Sequence, residues 1–183
     1  MTTLSDERGL GCSGARLRVY VAKPPPMAEY QALQQVEPLM HGQIQQIASH
    51  CGNGWRKVFN VYAKLVFALP APWQPQLHGC STWQAWRDRY LLQAQGQTSL
   101  LFSAPLLGGD KPCGGASLHL IAGRQHARAL LASGELSVPL TWLDDEFAIN
   151  TEHALLVCPY FDYRQLSDAK IARVAQLVQG LSK

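Results

Sequence analysis

The feature that most constrains this chain is a change of rhythm near its middle. From Thr98 onward, short and almost continuously apolar runs alternate with stretches of helical period. Thr98-Ser-Leu-Leu-Phe-Ser103, Ala116-Ser-Leu-His-Leu-Ile-Ala122 and His153-Ala-Leu-Leu-Val-Cys158 are too short for core helices, so each reads as a strand buried on both faces. Val138-Pro-Leu-Thr-Trp142 is a further short strand, and its proline suits an edge or a strand start. A helix follows the second run without pause, from Arg124 to Ala132, and Gly134 ends it. The closing helix is capped by Ser167, stapled by Leu166 and Ile171, and striped by Ile171, Val174, Val178 and Leu181. Apolar strands alternating with helices must cover both faces of a sheet. The pattern predicts an α/β protein, three-layer α/β/α, with a mainly parallel central sheet.

The first half reads differently. Residues 1–15 are rich in Gly and Ser after Arg8 and show no period, which predicts a flexible N-terminal tail, with residues 16–183 forming a single α/β domain. Arg16-Leu-Arg-Val-Tyr-Val-Ala22 alternates as a strand does, and Lys23-Pro-Pro-Pro-Met27 stops it, since consecutive prolines cannot continue a ladder. A helical region runs from about Ala28 to His50, interrupted near Pro38. After Gly52-Asn53-Gly54, with Asn53 as N-cap, the residues Trp55, Phe59, Tyr62 and Val66 mark an amphipathic helix. A proline-rich loop from Leu69 to Gly79 then leads to a helix capped by Ser81 and bearing Trp83, Trp86 and Tyr90.

Length and charge bound the function class. The chain has 183 residues, about one domain at roughly 150 residues each. Its charged fraction is 16%, against about 25% in ordinary domains, which excludes a solvated coiled coil. The net charge is +3. Residues 1–95 hold nine basic and five acidic residues (+4), and residues 96–183 hold seven and eight (−1). A mild basic excess permits nucleic acid as a partner without requiring it. Cys12, Cys51, Cys80, Cys113 and Cys158 are odd in number and widely spread, which suits a reducing cytoplasm better than a disulfide framework. The opening Met1–Gly11 holds acidic residues and no apolar run, so no secretory signal is expected. The longest uncharged run, Leu65 to Trp86, is broken by three prolines, so no membrane span is expected. His50-Cys51 and His78-Gly-Cys80 lack further ligands at diagnostic spacing, so no metal or cofactor is expected.

In an open parallel sheet ligands bind outside the carboxyl ends of the strands. That rule selects the loops at Lys23–Met27, Ser103–Gly115, Gly123–His126, Asp144–Glu146 and Pro159–Gln165. The polar candidates within them are Lys23, Asp110, Lys111, Arg124, Gln125, His126, Tyr160, Asp162, Tyr163, Arg164 and Gln165. Pro159-Tyr-Phe-Asp-Tyr-Arg-Gln165 crowds aromatics beside an Arg, a combination suited to stacking on a planar base. Gly123-Arg-Gln-His126 opens a helix, and such an end attracts anions. Arg56 and Lys57 oppose the dipole of the Asn53 helix, which suggests that an anion engages them. Gly108-Gly-Asp-Lys-Pro-Cys-Gly-Gly115 has the glycines of a phosphate loop without its spacing. Cys158 at a strand end and Cys113 near His119 lack a readable base for thiol catalysis.

The order of pieces is similar to that of the uracil-DNA glycosylase superfamily. The resemblance rests on a first strand ending in a Pro-rich turn, a helix opened by Gly52-Asn-Gly-Trp55 and a strand with a long Gly/Pro loop. Leu118-His-Leu-Ile-Ala-Gly-Arg-Gln-His-Ala-Arg-Ala-Leu130 and a late strand entering Pro159 complete it. The resemblance spans residues 16–181. It implies a parallel four-stranded core with helices on both sides. At the positions of the family's water-placing acid or Asn and its His-Pro-Ser loop stand Lys23-Pro-Pro-Pro-Met27 and Cys158-Pro159-Tyr160. The resemblance therefore implies fold rather than uracil excision.

Together these readings lead to a nucleobase-, nucleotide- or nucleic-acid-binding protein. Lys23, Arg124, Gln125, His126, Tyr160, Asp162, Tyr163 and Arg164 form its expected ligand site, and Arg56 and Lys57 are its expected anion contacts. Two other classes compete. One is a small-molecule hydrolase or transferase using Asp162 and His126 as an acid–base pair. The other is an interaction protein docking through Trp55, Trp83 and Trp86.

Overall fold

The computed structural model describes residues 6–107 and 117–181. The N-terminal half runs β1 (Gly9–Gly11), β2 (Leu17–Tyr20), α1 (Ala28–Gln31), β3 (Val36–Glu37), α2 (Gln43–Cys51), α3 (Asn53–Ala68) and α4 (Trp83–Arg89). The remainder runs β4 (Thr98–Leu101), β5 (Leu118–Ala122), α5 (Arg124–Ser133), β6 (Thr141–Trp142), β7 (Ala148–Asn150), β8 (Leu155–Cys158) and α6 (Asp168–Gln179). All eight strands form one sheet in the order β3-β1-β4-β2-β5-β8-β7-β6.

The sheet is mixed, which corrects the expectation of a mainly parallel one. Its centre, β4-β2-β5-β8, is parallel throughout. On one side β1 runs antiparallel to β4; on the other, β7 runs antiparallel to β8 and to β6. The cause is connection length. Only four residues separate β7 from β8, and a link that short joins antiparallel neighbours, whereas parallel neighbours need a long crossover.

Residues 9–11 also correct the reading of 1–15 as a tail. β1 is buried between β3 and β4. A Cβ on Gly9 would lie 2.3 Å from the Leu100 carbonyl oxygen, and one on Gly11 would lie 2.1 Å from that of Thr98. The glycines here admit a close backbone approach. The expected helix over 28–50 is likewise divided into α1, β3 and α2, because Val36–Glu37 pairs in parallel with β1. Gly52 takes the N-cap place expected of Asn53. Thr82, and not Ser81, caps α4 by accepting from Ala85 N. At α6 Ser167 is the N-cap and accepts from Lys170 N.

The two faces of the sheet are covered unequally. The larger core holds Leu17, Val19, Leu100, Leu118, Leu120, Leu156 and Cys158 from the strands, with apolar side chains of α2, α3, α4 and α6. At its centre the Tyr62 hydroxyl donates to the Ser99 carbonyl at 2.8 Å and joins the helix to the sheet. The opposite face packs Tyr20, Leu101, Ile121, Leu155 and Val157 against Ala127 and Leu130 of α5. Among the described residues α5 is the helix that packs there, over β5 and β8. No helix of the described residues is long and apolar enough to cross a membrane.

Candidate functional site

In the central strand order the chain leaves β2 towards β4 and returns to the other side at β5. The switch point of such a sheet is where ligands bind, and here it lies between β2 and β5 at their carboxyl ends. A cavity of about 240 Å³ stands beside it, at the ends of β5 and β8. Its walls bring together Arg124, Tyr160 and Arg164 from the predicted set, with Gln165, Glu146 and Lys170. Three cations against one carboxylate leave this wall at +2.

Local structure explains how the cavity is built. Gly123 has φ 100 and forms the N-cap of α5 without a side-chain cap. Its N–H donates to the Cys158 carbonyl at 2.8 Å, which ties the turn to the end of β8. The first helical bond comes from Ala127 N to the Gly123 carbonyl. Among the described residues the N–H groups of Arg124, Gln125 and His126 have no protein acceptor. The helix therefore presents open donors and the positive end of its dipole. The acidic turn after β6 is tied to α6. Lys170 pairs with Glu146 at 2.7 Å, and Arg173 pairs with Asp144. Arg124 donates to the Asp145 carbonyl at 3.3 Å. Peptide N–H groups of Glu146 and Phe147, together with Arg173, hold the Asp144 carboxyl below its ordinary range.

The other predicted residues take different places. Asp162 accepts from Arg164 N at 2.9 Å and pairs with Lys57 at 3.4 Å, and these contacts lower its pKa. Lys57 also lies 4.8 Å from the Tyr163 ring, which Arg164 approaches at 5.9 Å. Lys57 thus finds its anion inside the protein, in the Asp162 carboxylate, and braces the loop that carries Tyr160 and Arg164. Arg56 lines a separate cavity of about 480 Å³ between α2, α3 and α4, with Asn60 and Arg87. Lys23 and Gln125 are exposed and line neither cavity.

His126 sits half-buried in the first turn of α5. Its Nε2 is buried without a partner, and burial lowers its pKa. Asp162 and His126 share no hydrogen bond or ion pair, so they are not assembled as an acid–base pair. The Cys158 thiol is fully buried, which pushes its pKa up to about 12 and keeps it protonated. Asp110, Lys111, Cys113 and the Gly108–Gly115 stretch lie outside the described residues. No three His, Cys, Asp or Glu side chains among the described residues stand together as a metal would require. Of the three tryptophans expected to dock a partner, Trp86 is fully buried and donates to the Gln76 carbonyl, whereas Trp55 and Trp83 are partly exposed, Trp83 lying between Lys64 and Arg87.

Sequence reading missed Glu146 and Lys170, which reach the cavity from the β6–β7 turn and α6. It also missed a buried polar row on the α5 face, Ser99, Arg18 and His119 at paired positions of β4, β2 and β5. The signal was present: in the Arg16–Ala22 alternation one side is Leu, Val, Val and the other is Arg, Arg, Tyr.

No curated protein and no solved structure matches the chain. Residues 8–179, nearly all of the fold just described, match the model of a family of unknown function, DUF6942, and the protein belongs to that family.

Proposed function

We propose that the protein binds the phosphate and base of a nucleotide or nucleic acid at the carboxyl ends of β5 and β8. One observation carries this reading. Arg124, Arg164 and Lys170 converge with the uncapped N-terminus of α5 on a small cavity that Tyr160 also lines. Charge-assisted bonds from Arg and open peptide N–H groups are what an oxyanion selects, and the tyrosine supplies a surface for a base. The cavity volume of about 240 Å³ is below the roughly 300–1,000 Å³ of drug-sized sites. It suits a phosphate with part of its nucleoside, the rest of a strand lying across Tyr163, which is 52% exposed.

A fold resembling the uracil-DNA glycosylase superfamily, the expectation drawn from the sequence, would be compatible with the same ligand class. Binding without efficient uracil excision is the fitting activity. The carboxylates beside the site, Glu146 and Asp162, are each engaged by a lysine, and the late strand ends in Cys158-Pro159-Tyr160. Such a protein would work in the cytoplasm, where separated thiols stay reduced.

The test is fluorescence anisotropy of a labelled single-stranded oligonucleotide containing one uracil, followed across salt. Three phosphate contacts give a slope of log affinity against log salt of about −2. Arg124→Ala combined with Arg164→Ala should abolish binding, and unchanged affinity in that variant overturns the site. Alkali treatment of the same samples reads base removal, and strand cleavage there would contradict binding without excision.

A further inference from the structure

The cavity between α2, α3 and α4, of about 480 Å³, shares no wall residue with the strand-end cavity. Only Gly52 separates α2 from α3, and the two helices lie against each other, with α4 packed on α3 in turn. Gln45 and Ser49 stand one turn apart on α2, as do Arg56 and Asn60 on α3, and such neighbours share a helix face. Both pairs line the cavity. Arg87 and Asp88 complete its polar wall from α4, and Ala48 and Phe59 give it an apolar part.

The two arginines of this wall are held differently. Arg87 is fixed in place: Nε donates to Asp88 Oδ1 at 2.8 Å, Nη1 donates to Asn60 Oδ1 at 2.6 Å, and the guanidinium lies 5.4 Å from the Trp83 ring. Its Nη2 has no acceptor among the described residues. Arg56 is exposed, and its side chain has neither an ion pair nor a hydrogen bond among the described residues. A cation in the first turn of a helix opposes the dipole. Lys57 in that turn is neutralised by Asp162, which leaves Arg56 as the cation still without an anion. Two guanidinium groups against one carboxylate, itself engaged by Arg87, leave the wall at +1. A single Arg fork fills both oxygens of a carboxylate. A phosphate monoester carries nearly two charges and three strong acceptor oxygens, enough for two guanidinium groups and a hydroxyl. The volume is more than a bare phosphate fills and lies within the roughly 300–1,000 Å³ of small-molecule sites.

We propose that this cavity binds a phosphate monoester of a small hydroxylated molecule, of the sugar-phosphate class. Arg56, Arg87 and Ser49 take its phosphate, Gln45 and the second carboxylate oxygen of Asp88 meet its hydroxyl groups, and Ala48 and Phe59 face its carbon skeleton. The site is independent of the nucleotide reading and stands or falls without it.

Titration of the ¹⁵N-labelled full chain with glycerol 3-phosphate, ribose 5-phosphate and glucose 6-phosphate tests the assignment, because amide shifts separate this cavity from the strand-end one. Glycerol, ribose, glucose and inorganic phosphate form the control arms. At least one ester should give saturable shifts at Gln45, Ser49, Arg56 and Arg87, and its parent polyol and inorganic phosphate should each bind there at least about tenfold more weakly. Arg56→Ala should weaken the ester by a similar factor at an unchanged unfolding temperature, since the side chain has no partner in the protein to lose. Arg87→Lys, which keeps the charge and removes the fork, should weaken it as well. No shifts at these residues from any ester at millimolar concentration overturn the proposal, as do shifts confined to Gly123–His126 and Tyr160–Gln165. Unchanged affinity in Arg56→Ala overturns it too, and equal affinity for inorganic phosphate overturns the ester as the ligand.

Discussion

The same four strands present two unlike faces. Towards α2, α3, α4 and α6, β2 offers Leu17 and Val19, β5 offers Leu118 and Leu120, and β8 offers Leu156 and Cys158, all fully buried. Towards α5, β2 offers Arg18 and Tyr20, β4 offers Ser99 and Leu101, β5 offers His119 and Ile121, and β8 offers Leu155 and Val157. A parallel sheet normally carries apolar residues on both faces. One face here follows that rule, and the other mixes apolar side chains with a buried guanidinium, a hydroxyl, a phenol and an imidazole, the guanidinium paired with Glu7 from outside these strands. The difference separates work: the four-helix face supplies cohesion, and the α5 face holds polar groups in fixed positions.

Substitutions can break or sharpen that comparison. The largest effect belongs to the four-helix face, where Leu120→Ala should cost about 4 kcal/mol, since it leaves a cavity in a closed core. On the α5 face Glu7→Gln should cost about 3 kcal/mol, because Arg18 would keep a buried charge without its counterion. Replacing both partners with apolar residues, Glu7→Leu with Arg18→Met, should recover most of that loss. Chemical denaturation of the three variants checks the ranking, and an equal cost for the single and double changes would deny the ion pair its role. Gly123→Ala should cost about 1–2 kcal/mol, since φ 100 strains any residue with a Cβ. Tyr20→Phe should cost about 1 kcal/mol for the lost 2.7 Å bond to His119 Nδ1.

The smallest effect is one of pH. Burial lowers the pKa of His126 from its ordinary 6.5, so the unfolded chain takes up a proton there before the folded one does. Stability should begin to fall as pH drops below about 6.5. Asp144 and Asp162, both lowered from 3.8, hold stability that is present above about 3.8 and lost as pH falls through their folded values. Thermal unfolding against pH should show two declines, and His126→Gln should remove the upper one alone.

The parallel centre was legible because its strands carry unbroken apolar runs, and α5 and α6 because Gly134 and Ser167 punctuate them. The edges were not. Gly9 and Gly11 look like loop residues until the β4 backbone lies against them, and β3 and β7 are too short to carry a period. Arg124, Tyr160 and Arg164 were found by a topological rule, without any motif. Glu146 and Lys170 were hidden because their place depends on how the β6–β7 turn meets α6, a contact with no local signature. Lys57 was noticed as a cation at the wrong end of a helix; its partner, Asp162, lies 105 residues away.

The most direct measurement is a titration of the ¹⁵N-labelled chain with a uridine-containing oligonucleotide, followed by amide chemical shifts. The account predicts shifts concentrated at Gly123–His126, Glu146 and Tyr160–Gln165, weakened by added salt. Shifts gathered instead around Gln45, Ser49 and Arg56, or no shifts at low salt, would contradict it.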